Sequence, residues 1–148
     1  KFNYIHFATH GFIDESKPDF SSLVLTKDNN SEEDGFLQAT EIFNLKLNAD
    51  LVVLSACQTG LGKLVRGEGM VGLTRAFMYA GTPTVLVSLW SVSDVSTSTL
   101  MGEFYRNLVK EKLGKTDALR KAQLTMLGYE KFAHPFYWAP FVLFGDWR

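Results

Sequence analysis

Two side chains capable of nucleophilic and acid–base chemistry each follow a short run of strand-forming residues. His10 follows residues 2–9 (FNYIHFAT), a predicted strand that ends at the turn signal His10-Gly11. Cys57 follows the apolar run at residues 51–56 (LVVLSA). A cysteine attacks as its thiolate, and a neighbouring imidazole can take the thiol proton and later protonate a leaving amine. These two residue types therefore indicate nucleophilic catalysis, with Cys57 as nucleophile and His10 as its acid/base partner.

The elements around this pair determine whether the two side chains can meet. Residues 51–56 form a continuous apolar run, which is typical of a strand covered on both faces of a parallel sheet. Sites in such sheets form at the carboxyl ends of the strands. If the strands at 2–9 and 51–56 are parallel neighbours, His10 and Cys57 emerge at the same edge of the sheet.

The rest of the chain alternates between strand and helix patterns. Further strands are predicted at residues 22–26, 84–90 and 141–144. Helices are predicted at 39–45, from beyond Gly72 to Tyr79, from a cap at Asp94 to Gly114, and from a cap at Thr116 to Leu127. The third of these helices carries an apolar stripe at helical spacing, formed by Leu100, Phe104, Leu108 and Leu113. Residues 27–35 read as a polar loop, and the glycine-rich residues 60–72 as a mobile segment. This order predicts an α/β fold whose mostly parallel sheet is covered by helices on both faces.

Composition excludes several classes of protein. The 148 residues suit one domain at 1–148, and 46% are hydrophobic, enough for a sizeable core. A net charge of -1 gives no footprint for nucleic acid or an anionic membrane. Gly81 and Pro83 interrupt the longest uncharged stretch, so it does not predict a membrane span. One cysteine cannot form an internal disulfide, and no metal or cofactor motif is present, so we predict a cytoplasmic protein without a cofactor.

The beginning of the chain has an unusual pattern. Residues 1–9 read as a buried strand with no capping element before it. Natural domains seldom open in the middle of a sheet. This pattern predicts that the chain is the C-terminal catalytic part of a longer domain or protein, with strands upstream.

Five blocks of the sequence, in order, resemble the CHAT domain. They are ATHG (8–11), LVVLSACQTGLG (51–62), GEGMVGLTRAFMYAG (67–81), SLWSVSD (88–94) and HPFYWAPFVLFGD (134–146). The CHAT domain is a caspase-like module, often attached to tetratricopeptide repeats and related to separases and gingipains. The spacing of 47 residues between His10 and Cys57, and the Ala-Cys followed shortly by Gly60, also resemble the caspase pattern. The resemblance covers nearly the whole chain.

This resemblance implies a three-layer caspase-like fold and a cysteine endopeptidase that cuts a protein substrate through an acyl-enzyme. It implies a Cys–His dyad without an acidic third member. We expect the oxyanion hole at the backbone amides of Gly11 and Cys57. The residues that resemble the substrate-pairing strand of caspases, which binds by strand addition, are Ser88, Trp90, Ser91 and Val92.

Other polar residues near these blocks allow two interpretations. Asp94 is explained as a helix cap, the interpretation that we favour, or, as the resemblance to related peptidases implies, as an acid that selects Arg or Lys in the substrate. His6 shares a strand face with His10 and is expected to be a neighbour of the site rather than catalytic. His134 reads as a loop residue. Arg66 and Glu68 either order the glycine-rich loop or are simply exposed.

Two alternative functions were weighed against the peptidase. Gly67, Gly69 and Gly72 spell G-x-G-x-x-G, but a dinucleotide site needs the first glycine directly after the strand, and ten residues separate Gly67 from Ala56. The stronger alternative is a catalytically silent caspase-like scaffold that binds partners through its sheet edge and helices. Retention of both His10 and Cys57 favours the enzyme. We expect regulation by a partner or an attached domain such as tetratricopeptide repeats, and no contact with nucleic acid or membrane.

Overall fold

The computed structural model describes residues 2–14, 16–28, 32–55 and 68–148, without the side chains of Pro18 and residues 68–71. Seven strands lie in these ranges: β1 (Tyr4–Phe7), β2 (His10–Phe12), β3 (Ser22–Val24), β4 (Phe36–Gln38), β5 (Leu51–Leu54), β6 (Thr84–Ser88) and β7 (Phe141–Gly145). The α-helices there are α1 (Ala39–Ile42), α2 (Glu68–Tyr79), α3 (Asp94–Tyr105) and α4 (Lys115–Gly128). Short 3-10 helices span Pro18–Phe20, Glu130–Phe132 and Pro135–Tyr137, and a π-helical turn spans Arg106–Lys110.

A four-stranded sheet forms the centre of the molecule, in the order β1-β5-β6-β7. β1, β5 and β6 are parallel, and β7 runs antiparallel to β6. Every residue of β5 and β6 is buried, which explains why their sequences are continuous apolar runs. The predicted mostly parallel sheet, with a strand at each of these positions, is confirmed.

Helices cover both faces of this sheet. Leu51, Val53 and Leu86 point to one face and pack with apolar residues of α3 and α4. The alternate strand residues, including Val52 and Leu54, point to the other face and pack with α1 and α2. Because side chains alternate along a strand, β5 is apolar at every position and contributes to both cores. The arrangement has three layers, as predicted.

A second, smaller sheet has the order β2-β3-β4 and is antiparallel. His10 and Gly11 are its first strand residues, so the prediction that they form a turn ending the first strand is wrong. The chain leaves β1 after Phe7 and bends before it pairs with β3, and the Thr9 hydroxyl donates to the Val24 carbonyl at this point. Leu23 of β3 is buried in the core on the α1 and α2 side, which anchors the small sheet.

β1 differs from the predicted buried strand. Tyr4 and His6 are exposed, whereas Ile5 and Phe7 are partly buried against the α1 and α2 side. Within the described ranges β1 pairs only with β5, so it lies at an edge of the sheet. Strand-forming residue types alone did not distinguish this edge position from a central one.

The bounds of α1 and α2 differ from the predicted ones. α1 begins with a capping box formed by Gln38 and Glu41, and it ends at Ile42 rather than at residue 45. α2 begins at Glu68, so Gly69 and Gly72 are helical and do not precede the helix. Its end at Tyr79 is confirmed. Gly81 then takes a φ of 110°, and a Cβ there would lie 2.6 Å from the Leu47 carbonyl oxygen.

The caps of the last two helices were predicted one or two residues too late. Ser93, not Asp94, caps α3, because its hydroxyl accepts from the Ser96 amide. Gly114, not Thr116, occupies the N-cap position of α4. The Thr116 hydroxyl instead donates to the Trp147 carbonyl.

The apolar stripe predicted along α3 is confirmed. Leu100 and Phe104 are buried in the core, Leu108 follows on the π-helical turn, and Leu113 packs against them. The helical segment ends at Lys110 rather than at Gly114, and Lys112 then takes a φ of 56°. Among the described residues, no helix is both long and apolar enough to cross a bilayer.

Candidate active site

A cavity of about 580 Å³ opens at the carboxyl edge of β1 and β5. One wall comes from the end of the parallel strands and the start of the small sheet, and it consists of His6, Ala8, Thr9, His10 and Ser55. The other wall is a single face of α3, with Asp94, Thr97, Ser98, Met101, Gly102 and Tyr105. The cavity occupies the position where parallel α/β sheets usually bind their ligands.

The two walls are joined by hydrogen bonds through His6. Its Nε2 atom lies 2.7 Å from the Ser55 hydroxyl oxygen, and its Nδ1 atom lies 3.0 Å from the Tyr105 hydroxyl oxygen. The Ser55 amide also donates to the Phe7 carbonyl at 3.1 Å, which continues the parallel pairing of β5 with β1. Three elements that are distant in sequence are thus connected at the floor of the cavity.

Burial changes the ionisation of two members of this network. His6 keeps part of its surface exposed, but the protein around its ring removes water and lowers the pKa of the imidazole. Burial also raises the pKa of Tyr105 to about 12. Both shifts favour the uncharged forms, so the network is neutral near pH 7.

His10 lies at the cavity, but its predicted partner is outside the described residues. The His10 residue is exposed at the start of β2, and no hydrogen bond joins its ring to another residue of the described ranges. Cys57 belongs to residues 56–67, which the structure does not describe. Ser55, two positions before Cys57, lines the same cavity as His10. The pairing of His10 with Cys57 remains a prediction.

The predicted oxyanion hole involves the same undescribed segment. Gly11 is buried in β2 and lies opposite Leu23 of β3. The second predicted donor, the amide of Cys57, is outside the described residues. The oxyanion hole therefore also remains a prediction.

The predicted substrate-binding residues divide into two groups. Asp94 lines the cavity, and it is the only one of the five, all of them described, that does so. The Ser88 hydroxyl donates to the Trp90 carbonyl at 2.7 Å, and the Trp90 indole donates to the Phe136 carbonyl at 3.0 Å. Val92 is buried in the core beside α3, and Ser91 is half-buried.

The capping pattern changes the interpretation of Asp94. Since Ser93 supplies the cap, the Asp94 carboxylate is not needed for that role. Asp94 is exposed in the first helical turn, where the helix dipole favours a negative charge. The structure thus removes the capping explanation and leaves a carboxylate at the cavity.

Sequence reasoning missed most of the α3 wall and Ser55. The α3 residues are spaced three, four, seven, eight and eleven positions after Asp94, which is the spacing of one helical face. This periodicity, counted from Asp94, was the signal that could have found them. Two details characterise the face: the buried Thr97 hydroxyl has no hydrogen-bond partner among the described residues, and a Cβ on Gly102 would meet nothing within 4 Å.

The remaining polar candidates lie elsewhere or outside the described residues. His134 precedes the 3-10 helix Pro135–Tyr137, and its Nδ1 atom accepts from the Phe136 amide, which confirms it as a loop residue. Arg66 and the side chain of Glu68 are not described, so their proposed role in the loop is untested. No group of three or more His, Cys, Asp or Glu residues that could hold a metal ion occurs in the described part of the chain.

These observations define a class of protein. It is a three-layer α/β domain with a histidine-lined cavity at the carboxyl edge of its sheet. Residues 1–146 match the family model of the CHAT domain, so the chain belongs to this caspase-like family. It is similar to tetratricopeptide repeat protein 28 of Mus musculus and of Homo sapiens, each 38% identical over 110 residues. The match covers 74% of this chain but 4% of each relative, so the chain spans a small part of these proteins.

Proposed function

We propose that this protein is a cysteine endopeptidase in which Cys57 is the nucleophile and His10 the acid/base partner. The observation that carries the proposal is that His10 and Ser55 line one cavity at the carboxyl edge of the sheet. Cys57 follows Ser55 by two residues. Since consecutive Cα atoms are about 3.8 Å apart, the chain can reach no more than about 8 Å beyond Ser55 by that point.

The proposed reaction proceeds through a thioester. His10 takes the proton of the Cys57 thiol, and the thiolate attacks the carbonyl carbon of the scissile peptide bond. The amides of Gly11 and Cys57 donate to the resulting oxyanion. The C–N bond then breaks as the imidazolium of His10 protonates the departing amine. Water, deprotonated by His10, hydrolyses the thioester and restores the thiol, releasing a carboxylic acid.

The α3 wall supports a preference for a basic side chain in the substrate. Asp94 places a carboxylate at the cavity, and Thr97 and Ser98 add hydroxyl groups beside it. A carboxylate pairs with the guanidinium of Arg or the ammonium of Lys through charge-assisted hydrogen bonds. The substrate is therefore a protein cut after Arg or Lys. Its backbone pairs with the segment from Ser88 to Val92.

The relatives and the composition of the chain support a proposal about its regulation and location. The relatives of this chain are named for tetratricopeptide repeats, which supports a repeat segment as the regulatory partner. The near-zero net charge supports a protein that is not attracted to nucleic acid or to an anionic membrane, and we propose a cytoplasmic location. We expect the peptidase activity to change when such a partner binds or dissociates.

The experiment that tests the proposal is labelling with a peptide that carries an electrophile after an Arg residue. Because the chain has one cysteine, the labelled position is unambiguous. We expect rapid modification of Cys57 and a loss of at least 100-fold in rate for His10→Ala, since general base catalysis contributes about 10²–10⁴-fold. His134→Ala is the matched control, because His134 caps a 3-10 helix away from the cavity, and it should label at the wild-type rate.

The opposite result favours the scaffold alternative. Slow labelling of Cys57, equal in wild type and His10→Ala and equal to that of an ordinary thiol, would show that the two residues do not cooperate. The protein would then use the fold to bind partners rather than to cut them.

A further inference from the structure

The His6 side chain is hydrogen-bonded at both ring nitrogens at the cavity, and the proposed reaction does not use it. Its two ring nitrogens are both engaged, one by Ser55 and the other by Tyr105. The partners are 49 and 99 residues away in sequence and lie on β5's continuation and on α3. The single imidazole therefore connects the edge strand, the central strand and the helix of the opposite wall.

The Ser55 contact is placed where the proposed nucleophile leaves the sheet. Ser55 is buried directly after β5, and its side chain follows Val53 on the face that looks toward α3. His6 lies opposite Val53 in the parallel pairing of β1 with β5. The side chains of His6 and Ser55 therefore reach each other across neighbouring strands. The chain continues from Ser55 to Cys57 two residues later.

The geometry points to His6 as a positioning residue that acts on Cys57 through Ser55. It holds Ser55, the residue directly after β5, against α3, and Cys57 follows Ser55 by two residues. The inference rests on the proposed function, since it describes how the proposed nucleophile is aligned. His6 is not assigned acid/base work, because neither ring nitrogen is left for the thiol.

The direction of the hydrogen bonds is consistent with a neutral ring. The Ser55 hydroxyl donates to the Phe7 carbonyl at 3.4 Å, so we assign the ring proton to Nε2, which donates to the Ser55 oxygen, and Nδ1 accepts from the Tyr105 hydroxyl. Protonation would place a second ring donor against the Tyr105 hydroxyl. Burial opposes the charged ring as well. The other titratable groups at the described cavity walls are His10, Asp94 and Tyr105.

The size of the expected effect follows from alignment rather than from bond strength. The two hydrogen bonds of His6 are a small part of the stability of a folded domain, which can lose them without unfolding. A displacement of a reacting group by about 1 Å can cost about 100-fold in rate. Loss of His6 should therefore slow the chemical step much more than it weakens the fold.

The test compares the maximum labelling rate and the half-saturating concentration of the Arg-peptide electrophile across variants of the chain. His6→Ala and Ser55→Ala should each lower the maximum rate roughly 10- to 100-fold, with less than about twofold change in half-saturation. Because both act through one contact, the double variant should be no slower than the slower single variant, within about twofold. Tyr105→Phe, which removes one hydroxyl, should lower the rate roughly three- to tenfold. Tyr129→Phe, at an exposed position after α4, is its matched control and should have no effect.

Failure of this inference can be told apart from failure of the peptidase proposal. If His10→Ala abolishes labelling and His6→Ala labels like wild type, His6 does not position Cys57, although the peptidase proposal stands. If the losses of His6→Ala and Ser55→Ala multiply in the double variant, they do not act through one contact, and the inference is wrong. If His10→Ala labels at the wild-type rate, the peptidase proposal falls and this inference falls with it. Should His6→Ala not fold, His6→Gln and Tyr105→Phe carry the same test.

Discussion

The two sheets of the molecule differ in how completely they are buried. In the central sheet, β5 and β6 have no exposed residue, and Phe141 of β7 is 2% exposed. In the small sheet, Phe12 is 57% exposed and Phe36 is 46% exposed. The central sheet is thus the stable frame of the domain, and the small sheet is attached to it mainly through Leu23.

The two cavity histidines follow the same division. His6, on the central sheet, is held by hydrogen bonds to Ser55 and Tyr105. His10, on the small sheet, has no such bond to any residue in the described ranges. The residue proposed to transfer protons is therefore on the less secured element, whereas the residue proposed to align the nucleophile is on the frame. We therefore expect folding stability to depend mainly on the central sheet, whereas activity depends on residues of both sheets.

The largest expected difference between the sheets is in stability. Phe141→Ala removes a buried ring from the central sheet and should lower the free energy of unfolding by about 3–5 kcal/mol. Phe12→Ala removes a largely exposed ring from the small sheet and should cost less than about 1 kcal/mol. Urea unfolding followed by circular dichroism measures both. Equal losses for the two variants would show that the two sheets contribute equally to stability.

Hydrogen exchange tests the same division without a mutation. Amides of β5 and β6 should exchange only when the whole domain unfolds, because they are buried between two helical layers. Amides of β2 and β4 should open locally and exchange at least about 10-fold faster. Exchange measured residue by residue by NMR provides the rates. Uniform protection across both sheets would show that the small sheet is as firmly held as the frame.

We also expect the α3 wall, which packs on the central sheet, to determine which substrate side chain is preferred. Asp94→Asn removes the carboxylate but keeps its shape, and it should reduce the preference for an Arg over a Gln electrophile roughly 10-fold, as one lost ion pair of about 1.4 kcal/mol would. Asp117→Asn is the matched control, since Asp117 is also an acid in the first turn of a helix but is not at the cavity. An unchanged preference in Asp94→Asn would remove this residue from the substrate site.

The smallest expected effect is the pH dependence of stability that His6 contributes. Because burial lowers the pKa of folded His6 below its ordinary value of 6.5, the unfolded chain binds the proton more readily. The contribution of His6 to stability is therefore complete above about pH 6.5 and declines as the pH falls below that value. Urea unfolding between pH 7.5 and 5 should show a smaller decline for His6→Gln than for wild type. In the control His134→Gln the decline should equal that of the wild type. The same result in His6→Gln would contradict the assignment of this pH dependence to His6.

Much of the fold could be predicted because a strand that is buried on both faces is apolar at nearly every position. The apolar runs of β5 and β6 and the stripe of Leu100, Phe104 and Leu108 lie where the sequence pattern predicted them. The end of α2 before Gly81 was also predictable, since the positive φ there suits glycine. These features depend on local composition and periodicity.

The errors concern features that depend on tertiary contacts. Nothing in residues 8–12 shows that β3 is available to pair with them, so His10 was assigned to a turn rather than to β2. Ser and Asp are both favoured residue types at helix N-caps. Only the geometry shows that Ser93, and not Asp94, accepts the hydrogen bond from the Ser96 amide. The role of Ser55 and Tyr105 beside His6 required the packing of α3 on the sheet. The predicted Cys57 lies outside the described residues, so its relation to His10 is still to be measured.

The most direct test of the account is the rate at which iodoacetamide alkylates Cys57 at pH 6.5. At that pH an ordinary thiol, with a pKa near 8.5, is only about 1% thiolate. The account predicts alkylation at least about 10-fold faster than that of free cysteine in the wild-type chain, and a fall to the free-cysteine rate in His10→Ala. Equal rates in the two proteins would contradict the claim that Cys57 and His10 form one catalytic pair.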